Sequence, residues 1–248
     1  SLVGSEMCIR DRCKSIMKLL PKTARIKSGK ILADGIDITD YTQRNMSRLR
    51  GDLFSMIFQD PMTSLNPTMT IGKQIEEAVR IHNKKMPKKQ VKKKVLELMQ
   101  LVEIDEPEVR ISQYPHEFSG GMRQRAVMAI ALAGNPKILF ADEPTTALDV
   151  TIQADIIDLL KDIQKEFGMA VIMITHDLGI VASMCDRIAV MYAGRIVETG
   201  TCDEIFYHPK HEYTKGLLES IPRLDSTKHE KLILSLIHIS EPTRLALI

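Results

Sequence analysis

The strongest constraint on the fold is the order of apolar and amphipathic segments after the turn at residues 134–136. Residues 137–141 and 170–175 are apolar runs with the length of buried strands, and residues 150–167 and 178–185 are predicted helices. Strands that alternate with helices form a parallel sheet, because each crossover returns the chain to the same edge. We therefore expect an α/β fold with a parallel sheet whose faces are covered by helices.

Two further patterns add to this core. Residues 28–38 contain two short apolar segments around Asp34-Gly35, a strong local signal for a two-residue hairpin turn. Between residues 71 and 102, apolar side chains recur at three- and four-residue spacing, as they do in amphipathic helices. We expect an antiparallel β piece near the start and an inserted helical subdomain over about residues 71–133.

The composition excludes several classes of protein. The 248 residues are 44% hydrophobic and 27% charged, which is ordinary for a globular protein. The net charge of +2 is too small to indicate nucleic acid, and the lysine-rich stretch 84–94 has no interleaved aromatic residues, which favours a solvated helix face. No apolar run approaches the roughly 20 residues that cross a bilayer. The cysteine spacing indicates neither a zinc site nor a disulfide framework, so a reducing cytosol fits best.

Both ends of the chain can be encoded by one DNA element. The bases ATGTGTATAAGAGACAG can encode residues 7–11 and begin the codon of Arg12, and their reverse complement can encode residues 234–238 and begin the codon of Ile239. One element in opposite orientations is typical of a translated sequencing adapter. We predict that residues 1–12 and 234–248 are non-native tails and that residues 13–233 carry the fold.

Two adjacent carboxylates follow the first apolar run. Asp142 and Glu143 stand at the C-terminal end of the predicted strand, where open α/β sheets bind ligands. In a nucleotide site the first acid would hold Mg²⁺ through water, and the second would orient and deprotonate the attacking water. Acids also follow strands simply to begin a turn, so the pair alone leaves both interpretations open.

A more specific block precedes this strand. Residues 118–125 read Phe-Ser-Gly-Gly-Met-Arg-Gln-Arg. Ser119 is a natural N-cap, and Gly120 and Gly121 leave the backbone bare at the start of a predicted helix. Such a helix start presents free N–H groups and a positive dipole to an anion. An ordinary glycine turn would not explain why the block lies shortly before Asp142-Glu143.

Together these blocks resemble the ABC ATPase family, whose fold is a P-loop NTPase core. The signature loop of that family reads Leu-Ser-Gly-Gly-Gln followed by a basic residue, Gln and Arg, and Phe118 and Met122 replace its outer members here. Residues 58–61 resemble the Q-loop of the family, residues 146–149 its D-loop and residues 175–177 its switch-histidine segment. The elements occur in the order that the family has.

The resemblance implies a nucleotide site for ATP and Mg²⁺. Gln59 would contact Mg²⁺, sense the γ-phosphate and link the core to the helical subdomain. Asp142 would hold Mg²⁺ and Glu143 would polarise the attacking water. His176 would bind the γ-phosphate and the surroundings of Glu143.

The resemblance also implies a second ABC ATPase subunit, in a homodimer or a heterodimer. Ser119, Gly120 and Gly121 would complete the ATP site of that partner, and Asp149 would bridge to it.

Longer blocks resemble the dipeptide, oligopeptide and nickel importer branch: residues 59–67, 142–150, 208–209 and 211–214, the last two within a C-terminal extension over about residues 201–233. That branch implies two membrane permease subunits, indirectly a solute-binding protein, no nucleic acid, and a peripheral position on the cytoplasmic face of the cell membrane. The implied activity is ATP hydrolysis that drives import of di- or oligopeptides. Nickel stays an alternative cargo, because an ATPase subunit does not touch the cargo.

One expected motif is missing. No G-x-x-x-x-G-K-[ST] loop precedes residues 15–21, which read as the end of the helix that follows such a loop, and the aromatic residue that stacks on adenine is also absent. We predict that the chain as written is truncated at its N-terminus and hydrolyses no ATP. A second possible function is that of a soluble ABC ATPase acting on DNA or ribosomes, which would need a coiled-coil insertion or a second cassette. A third interpretation is that the chain is a non-catalytic remnant.

Overall fold

The computed structural model describes residues 5–21, 23–146, 148–219 and 245–247. It divides the chain into a first unit, Lys14–Ile172, and a second unit, Ser1–Cys13 with Met173–Ile248. The described helices are α1 (Ser5–Ile16), α2 (Gln43–Leu49), α3 (Pro61–Ser64), α4 (Ile71–His82), α5 (Lys88–Leu101), α6 (Pro107–Arg110), α7 (Gly120–Leu132), α8 (Val150–Phe167), α9 (Leu178–Met184), α10 (Cys202–Tyr207) and α11 (Glu212–Glu219). The described strands are β1 (Leu32–Ala33), β2 (Ile36–Asp37), β3 (Phe54–Ile57), β4 (Ile138–Asp142), β5 (Ala170–Thr175), β6 (Arg187–Tyr192), β7 (Arg195–Thr201) and β8 (Leu245–Leu247).

In the first unit β4, which was predicted, pairs with β3, which was not. β3 and β4 pair in parallel, with Phe54 opposite Ile138 at one end of the ladder and Ile57 opposite Ala141 at the other. β5 begins beside them, since the amide of Ala170 donates to the carbonyl of Lys137 at 2.9 Å. The central residues of β4 are fully buried, as expected for a strand with both faces covered. The predicted strand is confirmed, shifted by one residue so that it includes Asp142.

The hairpin predicted near the start is confirmed. β1 and β2 are antiparallel, and the turn between them is Asp34-Gly35. Both turn residues have positive φ, 53° at Asp34 and 77° at Gly35, as a two-residue turn of the tight hairpin class requires. Aspartate and glycine tolerate this left-handed region better than most residues do.

The helical pattern over residues 71–102 forms α4 and α5. Their apolar stripes are buried: Ile71, Ile75 and Val79 on α4, and Val91, Val95, Leu98 and Met99 on α5. α4 packs on both α5 and α7, and α7 also packs on β3. The lysines of residues 84–94 are exposed, apart from the half-buried Lys94, which fits a solvated face. α7 therefore connects the helical bundle to the strand that leads to Gln59.

The second unit contains a hairpin that was not predicted. β6 and β7 pair antiparallel from Arg187 opposite Thr201 to Tyr192 opposite Arg195. The two residues between the strands, Ala193 and Gly194, have φ of 47° and 78°. Alanine is a poor residue for this region, so the sequence lacks the usual Asn-Gly or Asp-Gly signal. β8 pairs antiparallel with both β5 and β6.

Both predicted tails contain an element in the structure, although none was predicted there. α1 begins at Ser5, and β8 occupies Leu245–Leu247. Ile9 and Cys13, four residues apart, are 1% and 6% exposed, so α1 has a short apolar period that was overlooked. Residues 1–4, 234–244 and 248 of the tails, and residues 220–233 of the C-terminal extension, lie outside the described residues. The adapter origin of the tails stays a prediction.

Candidate nucleotide site

The ends of the two parallel strands bring two predicted site residues into contact. Gln59 lies two residues after β3, and Glu143 directly follows β4. The Nε2 atom of Gln59 donates to Oε2 of Glu143 at 2.5 Å. Asp142 and Glu143 are only 1% and 3% exposed, although both are acids. Burying a carboxylate is costly unless polar groups surround it, so this pair is unusual for a turn that merely ends a strand.

Glu143 begins a tight turn that its own side chain helps to close. Its φ is +48°, a left-handed conformation that costs a bulky residue about 1–3 kcal/mol and is concentrated at functional sites. Its carbonyl accepts from the amide of Thr146 at 3.2 Å, and its Oε2 accepts from the Thr146 hydroxyl at 2.8 Å. Thr146 was placed in the D-loop from the sequence, but its contact with Glu143 was not predicted.

Ser119 caps α7 as predicted. Its Oγ accepts from the amide of Met122 at 3.3 Å, and its backbone is extended, as an N-cap requires. Ser119 and Gly120 are exposed, so the start of α7 is open to a ligand or a partner. The sequence thus predicted both the cap and the exposed helix start, while an anion at this place stays a prediction.

The two glycines of this loop are packed against the segment after Glu143. A Cβ added to Gly120 would lie 3.2 Å from Cδ2 of Leu148, and one added to Gly121 would lie 2.7 Å from Cγ2 of Ile152. No ordinary side chain fits at 2.7 Å, so Gly121 is required by close approach. The loop at Ser119 and the D-loop therefore form one continuous surface.

Asp149 lies on that surface. It is the exposed N-cap residue of α8, and the next residue, Val150, is 82% exposed. Gln153 of α8 donates from Nε2 to the carbonyl of Leu148 at 2.9 Å, which fixes the D-loop backbone. Ala147 lies outside the described residues. An exposed acid and an exposed valine beside the glycine loop are features of a contact surface.

Arg123 links α7 to the segment after Gln59, a contact that was not predicted. Its Nε donates to the carbonyl of Pro115 at 2.7 Å, and its Nη1 lies 3.0 Å from Sδ of Met62 in α3. Met62 itself is 56% exposed. The exposed segment after Gln59 is thereby attached to α7.

His176 belongs to the second unit. It is exposed and directly follows β5. The Thr175 hydroxyl accepts from the amide of Asp177 at 3.1 Å, and Asp177 caps α9 by accepting from the amides of Gly179 and Ile180 at 2.8 and 3.2 Å. The backbone around His176 is thus held by side-chain caps. Its predicted role beside the γ-phosphate stays a prediction.

The carboxylate of Glu198 holds the segment that leads to α11 in the second unit. Oε1 of Glu198 accepts from the amide of Lys210 at 2.7 Å, and its Oε2 accepts from the amide of His211 at 3.0 Å. Next to them, the rings of Tyr192 and Tyr213 are 4.6 Å apart. Burial tends to raise the pKa of Glu198, but the side chain of Thr214, the two amides and the charge of His211 outweigh it, so the pKa is lowered.

The fold is shared with solved ATP-binding cassettes. CbiO1 from Clostridium perfringens, part of the ABC transporter complex cbiONQ, matches with a TM-score of 0.71 and 29% identity over 83% of this chain and 77% of that chain. A dimeric post-hydrolysis structure of the ATP-binding cassette MJ0796, bound to ADP and Pi, matches with a TM-score of 0.65 and 27% identity over 77% of this chain and 80% of that chain. The expected mixed α/β ABC ATPase fold is confirmed.

The chain belongs to the ABC transporter family, which residues 13–146 match. Residues 197–244 match a second family, the oligopeptide/dipeptide transporter C-terminal region. The oligopeptide transport ATP-binding protein OppD of Bacillus subtilis is 58% identical over 88% of this chain and 61% of that protein's length. The dipeptide transport ATP-binding protein DppD of the same organism is 55% identical over 91% of this chain and 68% of its own length. The chain therefore spans about three fifths of OppD.

None of the helices in the described ranges is long and apolar enough to span a bilayer.

Proposed function

We propose that this chain is part of the ATP-hydrolysing subunit that drives an ABC importer for di- or oligopeptides. The observation that carries the proposal is the contact between Gln59 and the buried Glu143, two residues 84 positions apart in sequence that resemble the Q-loop glutamine and catalytic acid of the family. The peptide-transport relatives and the match of residues 197–244 support the cargo class.

In the proposed reaction Glu143 is the general base. It orients a water molecule and takes its proton while the water oxygen bonds to the γ-phosphorus, and the bond from that phosphorus to the bridging oxygen breaks to release ADP. Mg²⁺ would neutralise phosphate charge and would be held by Asp142 and the side-chain oxygen of Gln59, since it is a hard cation that takes oxygen ligands. His176 would bind the γ-phosphate.

We propose that the site is completed by a second ATPase subunit. Ser119 and Gly120 are exposed, and they share a surface with the exposed Asp149 and Val150. A helix start with bare amides suits the phosphates of a nucleotide bound by the partner. Asp149 would bridge to that partner in a homodimer or a heterodimer.

The exposed segment after Gln59 would meet the membrane part of the importer. It includes Met62, and Arg123 attaches it to α7. We propose that two permease subunits dock here, that a solute-binding protein delivers the peptide to them, and that the subunit is peripheral to the cytoplasmic face of the membrane. We propose no nucleic-acid partner.

We further propose that residues 13–233 are the native part of a longer subunit and that a P-loop precedes them. Support comes from relatives that are longer than this chain and are named ATP-binding proteins, while the 248 residues contain no such loop. The complete subunit, which means these residues in the full reading frame of the native gene, is the protein in which this proposal is tested.

The test is tagging the complete subunit, purifying it from native membranes, and measuring uptake in a strain that lacks the gene. We expect two permease subunits to copurify and the deletion to abolish uptake of labelled di- or oligopeptides while uptake of ⁶³Ni²⁺ is unchanged. Loss of nickel uptake alone would move the subunit to the nickel branch. A soluble monomer with normal uptake of both would contradict the importer assignment.

A further inference from the structure

Gln59 and Thr146 both donate to the same carboxylate oxygen of Glu143. Gln59 donates from Nε2 at 2.5 Å and Thr146 donates from Oγ1 at 2.8 Å, both to Oε2. Glu143 is 3% exposed, so water can replace little of what either donor supplies. Gln59 lies 84 residues before Glu143 in the sequence and Thr146 only three residues after it, so the two donors differ in how far they can move relative to Glu143.

Gln59 is the donor that, under the proposed function, also binds Mg²⁺ and the nucleotide. Under the proposed function its amide turns to Mg²⁺ and the γ-phosphate when nucleotide binds. It lies in the segment that leads to α3, where the neighbouring Phe58 and Met62 are 38% and 56% exposed. When the Gln59 side chain turns to bring its oxygen to Mg²⁺, we expect its Nε2 to leave the position 2.5 Å from Oε2 of Glu143 that it occupies here.

Thr146 is the donor that is fixed. Its amide donates to the Glu143 carbonyl at 3.2 Å, so the two residues are the ends of one four-residue turn. Pro144 is the second residue of that turn, and its ring restricts the backbone there. Two residues further on, Leu148 packs beside Gly120 and accepts from Gln153, which anchors the turn to α7 and α8.

We propose that Thr146 is a positioning residue for the reaction: its hydroxyl holds Oε2 of Glu143 in place when Gln59 turns to the nucleotide. The inference rests on the proposed function. The reading against it is that the hydroxyl only closes the turn, in which case its loss would lower stability and leave turnover unchanged. The proposed role requires only a hydroxyl at position 146. Thr146→Ser should therefore keep the role, whereas Thr146→Val, in which valine has the shape of threonine without its hydroxyl, should lose it.

The experiment measures steady-state ATP hydrolysis by the complete subunit assembled with its importer. Thr146→Val should lower kcat by about tenfold, the scale of one lost hydrogen bond to a charged group, and leave the KM for ATP within about twofold. Thr146→Ser should stay within about threefold of the wild-type kcat. The matched control is Thr42→Val, which removes the hydroxyl cap of α2 far along the chain and should leave kcat unchanged.

Three results would overturn the inference: wild-type kcat in Thr146→Val, equal losses in the Val and Ser variants, or a change confined to KM. Thermal unfolding is followed for each variant, and Thr146→Ala replaces Thr146→Val if the latter does not fold. Absence of hydrolysis in the wild-type importer would instead contradict the proposed function, and the inference would fall with it. The two failures are therefore distinguishable.

Discussion

Glu143 and Glu198 differ in the donors that their carboxylates meet, and the difference separates the region in which we propose the reaction from a structural one. Glu143 in the first unit is buried, has a left-handed backbone, and receives two side-chain donors on one oxygen. Glu198 in the second unit is partly exposed and receives one backbone amide on each oxygen, and the side chain of Thr214 also acts on it. Backbone amides are fixed by the fold, whereas side-chain donors can rotate to other partners. Variants around Glu143 should therefore change turnover, and variants around Glu198 should change stability alone.

The largest effect outside Glu143 itself is expected at Ser119. Ser119→Arg places a bulky side chain at the exposed start of α7, which we propose faces the nucleotide of the partner subunit. Hydrolysis by the assembled importer should fall at least about 100-fold, the scale of removing one group that stabilises the transferring phosphate. Ser47→Arg, at an exposed serine of α2, is the matched control and should keep wild-type turnover. Equal turnover in the two variants would remove Ser119 from the site.

An intermediate effect is expected at Gly121, which lies in the region of the proposed site but has a structural role. Gly121→Ala puts a Cβ about 2.7 Å from Ile152, and the overlap should outweigh the better helix propensity of alanine. We expect a loss of about 1–2 kcal/mol in the free energy of unfolding. Gly120→Ala meets Leu148 only at 3.2 Å and should change it by less than about 0.5 kcal/mol. Urea unfolding of both variants compares them, and a larger loss for Gly120→Ala would show that the close approach is wrongly placed.

The smallest effect is expected at Glu198 and depends on pH. Because the folded-state pKa of Glu198 is lowered, its ionised form stabilises the fold above the unfolded pKa, and this contribution is lost as the pH falls through the lowered value. Glu198→Gln should cost about 1 kcal/mol at pH 7. The difference between wild type and variant should shrink in urea unfolding below about pH 4, where unfolded glutamate is protonated. A difference that grows on acidification would contradict the lowered pKa.

The parts of the fold that were predicted are those in which local sequence and final structure agree. Asp34-Gly35 is a dipeptide typical of a tight hairpin turn, and the spacing of Ile71, Ile75 and Val79 predicts a helix with one buried face. The hairpin at Ala193-Gly194 was missed because alanine does not signal a left-handed residue, which the surrounding strands impose.

The candidate site was predicted as a set of residues but not as a network. The motifs named Gln59 and Glu143, yet neither the bond from Thr146 nor that from Arg123 to Met62 follows from a motif, since each depends on how a turn or a helix is placed. Glu198 was not singled out at all, because its partners are backbone amides 12 and 13 residues further along the chain, and amides carry no sequence signal.

The most direct test of the account compares Glu143→Gln with Glu198→Gln in the assembled importer, since both replace a glutamate by its neutral amide. Single-turnover hydrolysis of γ-³²P-ATP and retention of the nucleotide are measured together. We predict that Glu143→Gln lowers the rate by about 1000-fold, the middle of the range for a lost general base, while ATP stays bound, and that Glu198→Gln hydrolyses ATP at the wild-type rate. A wild-type rate in Glu143→Gln, or equal losses in both variants, would contradict the assignment of Glu143 as the base and with it the division between the two regions.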